Sequence, residues 1–205
     1  MAIPFSELQK LNPSSILELF VLELIEGTHY PTGNPSNVPI VFRFHSGTNM
    51  NNRGEIVWQS NSYQRMPIDA SGFEYKGRGS APRPTLSISN FGEISRSGAV
   101  IDMSGFLNIV NEVTPHNDLL GATFTRLLVL ASSLDAANFT GNTNPFGTPN
   151  SDALPEEIFQ IDRKVTENRE VVTFELVSAG DMEGKKLPAR QVTRSEFPAV
   201  GSIVR

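Results

Sequence analysis

The chain has 205 residues, of which 39% are hydrophobic, with 13 Phe and no Cys; that is enough apolar material for a packed core without disulfides, and it excludes Cys nucleophiles and thiolate metal sites. A formal charge of -5, with 17 Lys and Arg scattered among 22 Asp and Glu, disfavours a dedicated nucleic-acid surface, and the nearest basic group, Lys76, Arg78 and Arg83, has only Tyr75 beside it for stacking. The longest apolar run, residues 17–25, is interrupted by Glu18 and Glu23 and falls far short of the roughly 20 residues that cross a bilayer as a helix.

In chain order, residues 1–10 carry Pro4 and Glu7 without a basic start or an apolar run, so no secretory signal is read there. A protein made in the cytoplasm and remaining soluble is expected. Pro4 suits the first turn of a short helix over 4–11, where a missing N–H costs little. Residues 14–24 are too densely apolar for period alone to separate a buried strand from a buried helix, and are read as a strand. Residues 27–37, crowded with Gly, Pro, Asn and Thr, form a loop. Strands are expected at 38–45, 55–59 and 72–76. In residues 84–90 the apolar Leu86 and Ile88 alternate with Thr85, Ser87 and Ser89, the pattern of a half-buried strand.

Asp102 can cap a helix in which Met103, Phe106, Leu107 and Val110 fall on one stripe. A strand follows at 121–132. Residues 138–155 make a connection longer than usual, and its Phe139 and Phe146 either dock on another surface or fold back on their own domain. Strands at 156–165 and 170–177 are joined by a turn at 166–168, where Asn168 can adopt a left-handed backbone. The expected fold is mainly β, a β-sandwich or barrel-like domain with one or two short helices. It occupies 1–190 as one unit or as two subdomains split near 91–120, with 191–205 as a C-terminal tail.

Chemistry is sparse. The three histidines, His29, His45 and His116, form neither HxH nor HExxH, so no metal site can be assembled from them. His45, at the end of a strand, reads as structural. Gly77-Arg78-Gly79 lacks the Lys-Ser/Thr pair and the following helix of a phosphate loop and reads as a turn. Gly72, Gly77 and Gly79 are expected at turns or close backbone approaches. Arg83, extended by the following Pro84, is expected to form a bidentate pair with a carboxylate or backbone carbonyls. Trp58, beside Ile56 and Val57, reads as a core anchor.

Between 57 and 90 the chain runs Val57-Trp58-Gln59, Tyr63-Gln64, Pro67-Ile68, Gly72-Phe73-Glu74, Gly77, Gly79, Arg83-Pro84-Thr85-Leu86 and Ser89-Asn90. It continues with Leu134-Asp135-Ala136, Asn138-Phe139, Asn144-Pro145, Phe174-Glu175-Leu176 and Leu187-Pro188-Ala189-Arg190. This ordered set resembles the minor tail protein L family of lambda-like long-tailed bacteriophages. The resemblance implies a virion structural role at the tail tip without catalysis, in a homotrimeric ring that joins the distal tail or tail tube protein to the central hub. It implies no membrane partner, and nucleic acid only as DNA passing through the lumen. Relatives carry a Cys-rich C-terminal extension that binds an iron–sulfur cluster; here Pro188-Ala189-Arg190 is followed by 191–205 with no Cys, so no cofactor is carried over.

Two other readings compete. A carbohydrate-binding β-sandwich of a receptor-binding device would present aromatic side chains for sugar stacking, and the chain has one Trp and three Tyr. A glycan-cleaving enzyme would need two carboxylates about 5–10 Å apart, a spacing that sequence does not reveal.

Overall fold

A computed structural model describes residues 5–33, 41–47, 54–74, 77, 81–90, 94–96, 99–101, 107, 111–181, 193 and 197. Its elements in chain order are α1 (Phe5–Leu8), β1 (Ile16–Glu23), β2 (Val41–His45), β3 (Glu55–Trp58), β4 (Asn61–Arg65), β5 (Ile68–Ser71), β6 (Thr85–Ser89), β7 (Ile94–Arg96), β8 (Ala99–Ile101), β9 (Thr123–Leu130), β10 (Glu157–Glu167) and β11 (Val171–Val177). Nine strands form one sheet in the order β3-β4-β2-β1-β9-β10-β11-β6-β5, and β7 and β8 form a separate hairpin. Within the large sheet β2 and β4 are parallel; the other pairs are antiparallel.

The order of strands forces the sheet to curl. β4 lies near one end and β5 at the other, yet only Met66 and Pro67 separate them. At this junction Met66 N donates to His45 O on the β2 side at 3.0 Å, and Ser89 N donates to Pro67 O on the β6 side at 2.9 Å. The two ends of the sheet therefore meet through one continuous segment, giving a barrel-like closure with β3 as a flap.

The inner face collects Phe20, Phe42, Phe44, Met66, Ile88, Phe124, Phe159 and Phe174 into one buried cluster, with the Phe20 and Phe124 rings stacked at 5.6 Å. Each such side chain contributes about 1.5–3 kcal/mol on burial. Leu24, Tyr30, Leu107 and Leu119 extend this cluster beyond the C-terminal end of β1. Toward the opposite end, Arg126, directly across from Phe20, pairs with Glu18 and with Glu157. Its guanidinium lies over the Phe73 ring, 4.6 Å from the centroid.

A second cluster lies outside β1 and β9: Leu19, Leu127 and Val129 meet Ile56, Trp58, Tyr63, Leu134 and Ala153, with Leu17, Val21 and Phe139 packed against them. β1 is thus covered on both faces. That is the physical reason its sequence is apolar at successive positions instead of alternating.

Several expectations need correction. The strand placed at 72–76 lies earlier, at Ile68–Ser71, and the chain leaves it at Gly72, where φ is +88° and an added Cβ would sit 3.4 Å from Pro84 Cα. Gly77 lies at a bend without a positive φ, and no described residue comes within 4 Å of such a Cβ, so among the described residues it is a turn position and not a close approach. β4 falls where no strand was expected. β10 runs to Glu167, and Asn168 does not adopt a left-handed backbone. Its Oδ1 instead accepts from the N–H groups of Glu170 and Val171, at 2.8 and 2.7 Å, closing the turn by side chain. In the region of the expected helix, residue 107 and residues 111–113 are helical; Asp102, Met103, Phe106 and Val110 lie outside the described residues.

The segment 138–155 folds back on its own domain. Asn138 and Asn144 are buried, Ala153 bridges Val129, and Phe139 packs on the outer cluster, edge-on to Phe146. Phe146 itself stays 58% exposed.

Candidate functional site

The β3–β4 hairpin turns through two non-glycine residues, Gln59 and Ser60, with φ of 50° and 61°. Such left-handed positions are unfavourable for residues with a Cβ, and Asp135 supplies the compensation. Its Oδ1 accepts from Gln59 N at 3.2 Å and its Oδ2 from Ser60 N at 2.7 Å. One turn further on, Asn138 Oδ1 accepts from Val57 N at 2.7 Å, while Asn138 Nδ2 donates to Val57 O at 2.6 Å and to Asp135 O at 2.8 Å. A side-chain amide thereby satisfies both backbone groups of an edge strand, leaving Val57 nothing to offer another strand. Asn144 continues the arrangement, donating from Nδ2 to Ser132 O and Leu134 O at 3.0 and 2.9 Å.

Beneath this turn lies a cavity of about 210 Å³, lined among others by Glu23, Arg43, Trp58, Asn61, Tyr63 and Glu156. Trp58 and Tyr63 are each 2% exposed, so neither presents a ring face for sugar stacking. The Trp58 indole Nε1 is buried without a hydrogen-bond partner among the described residues. Burial raises the Tyr63 phenol above its ordinary range, partly offset by the nearby Arg43 charge. Glu23, Arg43, Asn61 and Glu156 carried no sequence signal that set them apart, beyond a carboxylate at the end of the apolar β1.

The Arg83-Pro84 block joins a different part of the chain. Arg83 Nη1 reaches Glu175 at 3.1 Å and Asp162 at 3.3 Å, and Nη2 reaches Asp181 at 3.7 Å; Arg163 holds the other Glu175 oxygen at 2.8 Å. Arg83 therefore spreads its fork over three carboxylates of its own fold instead of gripping one. The Glu175 carboxyl is held below its usual range by hydrogen bonds from Arg163 and Arg83. Pro84 O accepts from Leu176 N at 2.8 Å. Asn90 ties β6 to the β10–β11 turn, with its N–H on Glu170 O at 2.8 Å and its Nδ2 on Asn168 O at 3.0 Å.

The residues singled out in sequence thus fall into groups. Trp58, Tyr63, Asp135 and Asn138 meet at the β3–β4 hairpin; Gly72, Arg83, Pro84 and Asn90 border β5, β6 and β11. Phe73 packs on Phe159 with ring centroids at 5.5 Å, and Pro67 marks the sheet junction. Gly77 has no described residue within 4 Å of an added Cβ, and Gly79, Pro188 and Arg190 lie outside the described residues.

Two of the three histidines, His29 and His45, hold backbone. His29, 1% exposed, accepts from Ile25 N on Nδ1 at 2.9 Å and contacts Leu120 O through Nε2 at 3.0 Å. With Nδ1 accepting, the ring is neutral and Nε2–H donates. Burial lowers the pKa of both His29 and His45. Among the described residues no three His, Asp or Glu come together as a metal site. Since the chain also has no Cys, its residues do not fit an iron–sulfur cluster.

The chain is 31% identical over 150 residues to tail tip protein L of Escherichia phage lambda, covering 72% of this chain and 57% of that protein. It therefore spans little more than half the length of this curated relative. The family model for phage minor tail protein L matches residues 37–199, a span that includes the hairpin clamp, the Arg83 block and most of the sheet. The chain belongs to the phage minor tail protein L family.

Proposed function

We propose that this chain is a structural subunit of the tail tip of a long-tailed phage, built into the virion as a homotrimeric ring between the distal tail or tail tube protein and the central hub, with DNA passing through its lumen. Family membership over residues 37–199 is the observation that carries the reading. The roles of the family-motif residues support it: Asp135 and Asn138 hold a turn and an edge strand, and Arg83 bridges strand ends. Among the described residues none of them aims a nucleophile or an acid–base pair into a cleft. We propose accordingly that the chain works without catalysis and without an iron–sulfur cluster.

An amber mutation in the gene, propagated with and without a suppressor, tests the reading. The non-permissive lysate should contain tails that lack a finished tip and do not join heads, and purified wild-type virions should contain the chain at their tail ends by immunogold labelling. Complete, infectious virions from the non-permissive host would overturn it.

A further inference from the structure

We propose that Phe146 is an assembly anchor, inserting into the cavity beside β5, β6 and β11 of a second copy of this chain. Its side chain is 58% exposed, yet the backbone beneath it is fixed. Asn144, 7% exposed, donates from Nδ2 to Ser132 O and Leu134 O at 3.0 and 2.9 Å, and its Oδ1 accepts from Phe146 N at 2.8 Å. Gly147 N closes the turn on Asn144 O at 3.3 Å. The Phe139 ring, itself packed on the outer cluster, meets the Phe146 ring edge-on with centroids at 6.2 Å. A buried amide thus holds an exposed aromatic side chain in place. Exposure of that ring gives the isolated fold nothing, whereas a group fixed before contact loses little entropy on docking, as aromatic hot spots of interfaces do.

The same chain offers a place for it. A cavity of about 300 Å³, more than a Phe side chain fills, opens where the two ends of the sheet meet, lined by apolar Pro67, Ile68 and Val171 and by polar Ser46, Asp69 and Ser87. No residue of 138–155 lines it, so Phe146 does not fill the cavity of its own copy. The loop packs outside β1 and β9, and β5 and β6 lie several places away in the order of strands. Anchor and cavity on different faces make a head-to-tail contact, which closes a ring when its rotation permits. Chemistry favours protein as the occupant. The one ionisable side chain in 138–155 is Asp152 and the one lining the cavity is Asp69; both surfaces are otherwise uncharged, as the centres of protein interfaces are. The ring rests on the tail-tip reading; the contact between copies does not.

Because the chain has no Cys, an introduced pair reports the contact. Full-length Thr148→Cys and Asp69→Cys proteins, substituted at exposed positions, are mixed at high concentration with a short bis-maleimide. The mixture should give a dimer joined from 148 to 69, identified by mass spectrometry of the linked peptides, and each variant alone should stay unlinked. Phe146→Ala should keep the melting temperature of the parent and weaken self-association in sedimentation equilibrium about tenfold or more. Asp69→Trp, which places a large ring over the cavity from the edge strand, should do the same, and the two together should weaken association no further than either alone. No link from 148 to 69, self-linking of Thr148→Cys alone, or additive effects of the two substitutions overturns the contact. A large loss of melting temperature in Phe146→Ala overturns it as well, by assigning the ring to its own domain. Absence of the wild-type chain from virions, with the link formed in purified protein, sinks the tail-tip reading and leaves the contact standing. The chain present at tail ends without that link in tails carrying both cysteines does the reverse.

Discussion

Replacing Asn138 by Ala removes the clamp on the β3 edge and isolates its energetic weight. The side chain is 2% exposed and makes three hydrogen bonds, to Val57 N, Val57 O and Asp135 O, at 2.7, 2.6 and 2.8 Å. Val57 O retains a second donor, Asp135 N at 3.3 Å, so the principal loss is the Val57 N–H, left without a partner in a part-buried position. An unmet buried donor costs about 1–3 kcal/mol, and the space left by the missing amide adds about 1 kcal/mol where the surroundings do not collapse. A total of about 3 kcal/mol lowers the melting temperature of a domain this size by about 6–12 °C. Asn138→Leu, which restores volume without polar atoms, should recover little of this. Differential scanning calorimetry at two protein concentrations measures both the loss and its consequence, because a freed edge strand promotes association. An Asn138→Ala protein melting within about 1 °C of the parent would refute the clamp.

Gly72→Val and Gly77→Val should behave differently: the first forces a β-branched residue into φ of +88° against Pro84 and costs about 1–3 kcal/mol, whereas the second meets no described residue within 4 Å and leaves the urea midpoint unchanged. Arg83→Lys keeps the charge but cannot bridge Asp162, Glu175 and Asp181 together; its melting temperature should fall slightly in low salt and coincide with the parent in high salt, where exposed pairs are screened. Burial depresses the His29 pKa, so the unfolded chain takes up the proton first as pH falls; the stabilisation is complete above the unfolded value of about 6.5 and is lost progressively below it. Urea titrations between pH 7.5 and 5 should show that loss, with a shallower slope in His29→Ala, and an identical slope in the two proteins would refute the assignment.

Period-two patterning made β6 and β11 legible, since each turns alternate side chains into the core, and β10 was legible as the strand that pairs with β11 across a short turn. β4 was not legible because Asn61-Ser62-Tyr63-Gln64-Arg65 offers one apolar side chain, and because its turn uses Gln59 and Ser60, without a glycine to mark it. That turn is stable through Asp135, 75 and 76 residues away in sequence. Local propensity contains no trace of such a contact. The same holds for Asn138 and Val57, separated by 81 residues. Resemblance to a family singled out these positions, but what they do emerges only when the chain is folded. Gly72 was recognised as a turn residue, although its strand was placed on the wrong side of it; Phe73, placed within that strand, instead follows it and packs against Phe159 and under Arg126.

Cryo-electron microscopy of intact virions tests the central claim most directly. The account predicts density for the curled nine-stranded sheet at the distal end of the tail, repeated three times around the tail axis, with the β3–β4 hairpin clamped by Asp135 and Asn138. Density for the chain elsewhere in the virion, or a finished tail tip in which the chain has no place, would contradict it.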